Sequence, residues 1–392
     1  MKKTLLIAGG GHADIPQIEA AKKLGFHVVT TGNKSNELGH KFSDEYIQED
    51  FSDPEAMLAI SKQIGVDAIC ACCNDFSAIS AAYVAETMGL EGHDSYATTK
   101  LLHHKDSYRE FALENNIASP YAKGFNNIPS ALEGIKKFTF PVIVKPVDLT
   151  GGKGITKVYD LAEAIKAINK AFSMSREKKI VIEEFVVGSH HGFSTFLRNG
   201  KVVFFFSDNE HYYKNPYMVS GASTPSIANE NIERKLCDES EKIASLLSLK
   251  DGIFHVQYIL RNDRPIIIEI CRRPPGDLYT KFVKHATDVD YPSWIIKATT
   301  GMDLSQLEFV RPKGFFVRHC VMADTLGEVN NILFDESIKN KVIDKFMWWK
   351  KGDLVEDVLI SKFGIVFLQF ESKDEMLSLT ERLPELIKVE VI

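Results

Sequence analysis

A lysine at the end of a short apolar run, followed at once by a glycine-rich loop, is the segment of this chain best suited to chemistry. Val142, Ile143 and Val144 read as a buried strand presenting Lys145, and Thr150-Gly151-Gly152-Lys153-Gly154 follows. Glycines let backbone N–H groups converge on phosphate oxygens, and a fixed ammonium adds a point charge beside them. The order, lysine first and glycines second, is not that of a Walker A loop. For the segment taken alone, a surface hairpin with an exposed lysine is the alternative.

Other segments carry weaker signals. Glu183 and Glu184 interrupt the apolar run that continues through Phe185 and Val186, which suits either a solvated strand end or a hinge. The turn Gly9-Gly10-Gly11-His12-Ala13-Asp14 resembles the opening of a dinucleotide fingerprint. Asp14 stands where the third glycine belongs, and the next strand ends in Thr30-Thr31-Gly32 with no ribose-binding acid. A tight turn that exposes the carboxyl-end crevice of a sheet is the preferred reading. Asn74 and Asp75 end a strand at that same edge, where they can meet substrate or cap the following helix. Cys70 and Cys73 form a C-x-x-C, but no second pair completes a zinc set, and the run VDAICACC reads as a buried strand of reduced thiols.

The elements that must position these groups follow from hydrophobic period. Residues 1–100 alternate strand and helix signals, from LLIAGG through IPQIEAAKKLG, HVVTT, DPEAMLAISKQIG and VDAICACC to FSAISAAYVAETMG. This order predicts an N-terminal doubly wound parallel sheet. From 101 to 300, a helix at KDSYREFALENNI leads into strands that alternate around Arg198-Asn199-Gly200 and Arg261-Asn262-Asp263, which are hairpin turns. That region predicts an α+β unit, with a glycine-loop lid over about residues 120–186. Residues 301–392 predict a small C-terminal α+β closing domain. The whole is a multidomain α/β and α+β chain of 392 residues, long enough for several cores. A net charge of −6 argues against a general binder of nucleic acid or membrane surfaces. The apolar start is too short for a signal peptide and no run is long enough to span a bilayer, so a cytoplasmic protein is expected.

Between about residues 95 and 280 the sequence resembles the ATP-grasp superfamily, in particular its biotin-carboxylase, carbamoyl-phosphate-synthetase and amino-acid-ligase members. The resemblance rests on His104-Lys105-Asp106 with Arg109 one turn on, then Lys145 and Gly151 to Gly154, then Glu183-Glu184-Phe185-Val186. It ends with Gln257, Glu269 and Arg273 in FHVQYILRNDRPIIIEICRRPPGD. It implies an ATP site built on Lys105, Lys145, Gly151, Gly152, Lys153 and Gly154, with Glu184 C=O and Val186 N–H reading the adenine edge. His191 is the match for the ribose-holding residue, or His190 if one residue is inserted. Glu269 and Gln257 occupy the metal positions, where the family normally has two carboxylates, and Cys271 stands where Asn is usual. Arg273 falls on the arginine that contacts the transferred phosphate or an oxyanion, with Arg272 beside it.

The implied activity is that of an ATP-dependent carboxylate–amine ligase that forms an acyl phosphate and releases ADP and phosphate. Its cofactors would be ATP with Mg2+, or Mn2+ in its place. Lys145, Glu269 and Arg273 would be catalytic. Apart from the resemblance, the clustering of polar and aromatic residues beside the expected nucleotide site makes His211-Tyr212-Tyr213-Lys214 and the Asn74-Asp75 edge candidates for the acceptor side, with Arg272 and Arg273 as further substrate contacts. Partners are small carboxylates and amines, and the resemblance also allows a homodimer. Another reaction on the same fold (carboxylation or a purine-pathway ligation), a nucleotide-binding regulatory protein, and an NAD-dependent oxidoreductase stand as alternatives.

Overall fold

The computed structural model describes residues 2–392. Its first unit is the expected parallel sheet. Strands β1 (Thr4–Ala8), β2 (His27–Gly32), β3 (Glu45–Gln48) and β4 (Ala68–Ala71) lie in the order β3-β2-β1-β4. Alternation along the strands sends Leu5, Ile7 and Val28 to one core and Leu6, Ala8 and Val29 to another. The helices Pro54–Ile64 and Asp75–Met88 cover the second face. The first face is covered by Ile15–Lys23 and, from much later in the chain, Tyr291–Thr299. Local chemistry sets the helix ends: Asp53 accepts from the N–H groups of Glu55 and Ala56, and Gly65 stops that helix at φ 64°.

A small antiparallel sheet follows, built from β5 (Ala122–Phe125), β6 (Val142–Pro146), β7 (Thr156–Val158) and β8 (Ile180–Glu184) in the order β5-β8-β6-β7. The helices Ile128–Ile135 and Leu161–Met174 pack on one face against Val142, Val144, Ile180 and Ile182. The alternate residues Ile143, Lys145 and Glu183 therefore face the other way.

The remaining strands are β9 (Ser189–Arg198), β10 (Lys201–His211), β11 (Gly221–Thr224), β12 (Gly252–Arg261), β13 (Arg264–Cys271), β14 (Phe315–Met322), β15 (Gly327–Phe334), β16 (Val342–Met347), β17 (Leu354–Val355), β18 (Lys362–Phe370) and β19 (Ile387–Val391). Eight of them make one large sheet, in the order β13-β12-β9-β10-β11-β14-β18-β16. The hairpin turns have the residues their geometry demands: Asn199 and Gly200, and Asn262 and Asp263, all have positive φ. Residues 301–392 enter the structure in two places. Strands β14, β16 and β18 extend the large sheet, while β15, β17 and β19 form a sheet of their own over a further apolar core shared with β14 and β18. Among the described residues no helix is long and apolar enough to cross a membrane.

Two adjacent arginines after β13 tie the large sheet to the first unit. Arg273 donates from Nε to Asp75 Oδ1 at 2.8 Å, and Arg272 donates from Nε to Asp94 Oδ2 at 2.6 Å. The Arg272 and Asp94 side chains are 7% and 3% exposed, and Arg272 also donates to the carbonyls of Lys250 and Ile253. Removing one member strands a buried charge, at about 3–5 kcal/mol. Asp94→Ala should therefore lower unfolding stability by about that amount in urea titrations; a loss well under 1 kcal/mol would contradict this role.

Candidate active site

A cavity of about 770 Å³ opens between the small sheet, the large sheet and the carboxyl end of the parallel sheet. Its size suits a small-molecule site. Its walls include Asn74, Asp75, Lys105, Lys145, Gly151, Gly152, Glu183, Glu184, Phe185, Val186, Gln257, Glu269 and Arg273. Asn74 and Arg273, 199 positions apart in sequence, thus meet at one place.

The strongest electrostatic feature sits where the small sheet meets the helix Lys105–Glu114. Glu183, 5% exposed, accepts from Lys145 Nζ at 2.5 Å and from Arg109 Nε at 3.1 Å. Arg109 also donates to the Ile268 carbonyl at 2.7 Å, which joins this cluster to β13. Lys105 Nζ donates to the Leu149 carbonyl at 2.8 Å and lies 3.7 Å from Glu269 Oε1. Burial lowers the Lys145 ammonium, Glu183 opposes that, and the nearby Arg109 and Lys105 cations add to the lowering, leaving it at about 8. Burial raises Glu183, but Arg109 and Lys145 more than reverse this and hold it below its ordinary value. Three cations, Lys145, Arg109 and Lys105, against the two carboxylates Glu183 and Glu269 leave one positive charge to be completed by an anion. The glycine loop borders the same space. Gly151, Gly152 and Gly154 adopt φ of 65°, 75° and 73°, where a side chain is strained. Gly151 and Gly152 reach the cavity wall, whereas Lys153 is exposed beyond it.

The opposite wall is a row across the large sheet. Glu269 pairs with Gln257, Gln257 with Gly192, and Gly192 with Asp208. Glu210, two residues along β10 from Asp208, shares its face. Across β9, Gln257 Nε2 donates to Glu210 Oε1 at 2.6 Å. Tyr212 donates to Glu210 Oε2 at 2.7 Å. Burial and then Asp208 raise Glu210 to about 7, against these hydrogen bonds. Burial likewise raises Asp208 to about 6, although Tyr279 donates to its Oδ2. Arg318 on β14 and Lys362 on β18 line the same end and pair with Asp277.

Magnesium favours hard oxygen donors. The Glu269 carboxylate and the Gln257 amide oxygen are such donors, side by side on the cavity wall, so the residues fit an ion held chiefly by Glu269. Cys271 does not extend that set: burial pushes its thiol well above the ordinary range. It instead approaches Asp75 and His103, with ligand-type atoms within 4.8 Å of one another. The Asp75 carboxylate there is committed to Arg273 and to His103 Nδ1. Burial raises Asp75, but Arg273, His103 and Lys105 pull it well below the carboxylate range.

Several expected residues lie elsewhere. Arg272 is spent on Asp94 and the neighbouring carbonyls and does not line the cavity. His191 is buried, its ring nitrogens bonded to Ser189 and Ser226 and its ring stacked on Tyr258. His190, one residue earlier, is at the cavity wall. Asn74, although on the cavity wall, caps the helix that follows it, accepting from Phe76 N–H at 2.9 Å. Of His211-Tyr212-Tyr213-Lys214, Tyr212 alone lines the cavity. The turn Gly9–Asp14 is closed by its own Asp14, which accepts from the Gly11 N–H, a donor a dinucleotide phosphate would need, and from the Cys73 N–H. Asp208 and Glu210 are additions. Their two-residue spacing after Phe204-Phe205-Phe206 marks one polar face of a strand, a signal present in the sequence.

Comparison with known proteins agrees with this architecture. The family model described as phosphoribosylglycinamide synthetase, ATP-grasp (A) domain, matches residues 103–215. This chain has the ATP-grasp fold. The L-amino acid ligase structure from Bacillus licheniformis superposes at a TM-score of 0.83, with 19% identity, covering 100% of this chain and 99% of that one. Phosphoribosylglycinamide synthetase from Anaerococcus prevotii gives 0.77, with 20% identity and 100% of both chains. By sequence the chain is similar to the carbamoyl phosphate synthase large chain of Clostridium botulinum (strain Kyoto / Type A2), at 22% identity over 328 residues. That match takes in 79% of this chain but spans 30% of the length of the relative.

The two histidines separate by experiment. His191→Ala should lower stability by about 2–4 kcal/mol through lost packing and hydrogen bonds, while His190→Ala should cost about 1 kcal/mol or less. Thermal and urea denaturation measure both, and equal losses would contradict the assignment.

Proposed function

We propose that this protein is an ATP-dependent ligase that joins a small carboxylate to an amine through an acyl phosphate, with release of ADP and phosphate. The observation that carries this reading is the shared cavity, in which Lys105, Lys145 and the glycine loop face Glu269, Gln257 and Arg273. Lys105, Lys145 and the loop amides hold the triphosphate, and Glu184 to Val186 border the adenine. Magnesium or manganese, held by Glu269 and Gln257, would neutralise charge gathering on the phosphates. A carboxylate oxygen attacks the γ-phosphorus, the bond to the β-phosphate oxygen breaks, and ADP leaves. The amine then attacks the acyl carbon, the carbon–oxygen bond to phosphate breaks, and Arg273 stabilises the intervening oxyanion. Asp208, on the cavity wall, takes the proton that the amine loses. The glycine loop closes over the phosphates and keeps water from the acyl phosphate.

Incubation with Mg-ATP and pools of carboxylates and amines, read as ADP release and hydroxamate formation with hydroxylamine, tests this directly. Substrate-dependent ADP and trapped acyl groups are expected. ATP binding without either would favour a regulatory protein. Lys145→Ala should lower kcat/KM by about 100-fold or more. With Asp208 raised to about 6 and required as a base in its ionised form, the rate should fall as pH drops below about 6. Asp208→Asn should lose that acidic limb together with most of kcat; an unchanged pH profile would remove Asp208 from the mechanism.

A further inference from the structure

We infer that Glu210 is a positioning residue for the metal site: it fixes the Gln257 amide and supplies the negative charge that Gln257 lacks. The inference rests on the reading of Glu269 and Gln257 as metal ligands. An amide can present either its oxygen or its nitrogen, and only the oxygen can ligate magnesium. Glu210 Oε1, an acceptor 2.6 Å away, holds the nitrogen on the β10 side. The oxygen is then left for the side where Glu269 stands, on the neighbouring strand β13. Tyr212 holds the other Glu210 oxygen at 2.7 Å, so the carboxylate is itself held in place.

The backbone makes room for this arrangement. The strand between β12 and β10 carries Gly192 opposite Gln257, and no side chain stands between the two partners. A Cβ on Gly192 would lie 2.7 Å from Asp208 Oδ2, so Asp208, the residue opposite on β10, uses the space that glycine leaves. When Glu210 is ionised, the Gln257–Glu210 pair carries one negative charge, as a single carboxylate ligand would. The charge lies one amide further from the ion and reaches it through the polarised amide oxygen. One consequence is counterintuitive. Gln257→Glu, which appears to complete a two-carboxylate metal site, sets two half-buried carboxylates against each other and should weaken it.

A charge swap tests this. Mn2+ affinity is measured by electron paramagnetic resonance on the full-length protein saturated with a non-hydrolysable ATP analogue, with melting temperature recorded alongside. Glu210→Gln should weaken Mn2+ binding about 10-fold, because two facing amides can pair either way round. It should raise the KM for Mg2+ more than it lowers kcat at saturating Mg2+. Tyr212→Phe should show the same effect, smaller. Gln257→Glu alone should also weaken Mn2+ binding, and the double variant Glu210→Gln/Gln257→Glu should restore it to the wild-type value or better. If Glu210→Gln stays within twofold of wild type while Gln257→Ala loses Mn2+, or if the double variant is no better than either single one, the inference is overturned. If Gln257→Ala leaves Mn2+ binding unchanged, the ligand reading itself fails and takes the inference with it.

Discussion

Glu183 is a carboxylate buried between two cations, and much of the architecture is arranged around keeping it there. Its partners come from β6 and from the helix Lys105–Glu114, and Arg109 reaches on to the backbone of β13. The small sheet is thereby tied to the large one at the edge of the cavity. Desolvating several charges is costly, and an apolar cluster of equal volume would often serve stability as well. What an apolar cluster could not supply is the excess of positive charge that Lys145, Arg109 and Lys105 leave beside the glycine loop. That excess, more than the number of contacts, gives the cavity its character.

The far end of the cavity depends on the chain's last third. Because β14 and β18 join the large sheet rather than packing beside it, Arg318 and Lys362 enter the same space as Asp208 and Arg273. Anchored by Asp75 and Asp94 on the first unit, Arg273 and Arg272 hold the third wall in position. The cavity is thus assembled where three sheets meet, two of which, the parallel and the large, share one apolar core while the small sheet has its own.

The features legible in the sequence were those governed by local rules. The parallel βα order, the helix opened by Asp53 and closed by Gly65, the two hairpin turns and the pairing of Lys145 with a glycine loop all follow from neighbours in the chain. The features that escaped depend on which residue a sheet or helix sets opposite another. His190 and His191 differ by one position, and a one-residue change of register exchanges cavity and core. Arg272 and Arg273 likewise point to different partners. Glu183 reads as part of a hinge until Lys145 and Arg109 are seen on either side of it. Glu210 has no evident task in the sequence, because its partner Gln257 is two strands away.

The central claim is that the Lys105, Lys145 and Arg109 cluster is completed by the phosphates of a nucleotide. Isothermal titration with a non-hydrolysable ATP analogue, in paired buffers of different ionisation enthalpy, tests it most directly. In the free protein Lys145 lies at about 8, so a triphosphate beside it must draw its proton back. Binding at pH 8.5 should therefore take up a fraction of a proton that is missing at pH 6.5 and missing in Lys145→Ala. Binding with no difference in proton uptake between the two pH values, or with the same uptake after Lys145 is removed, would contradict the account.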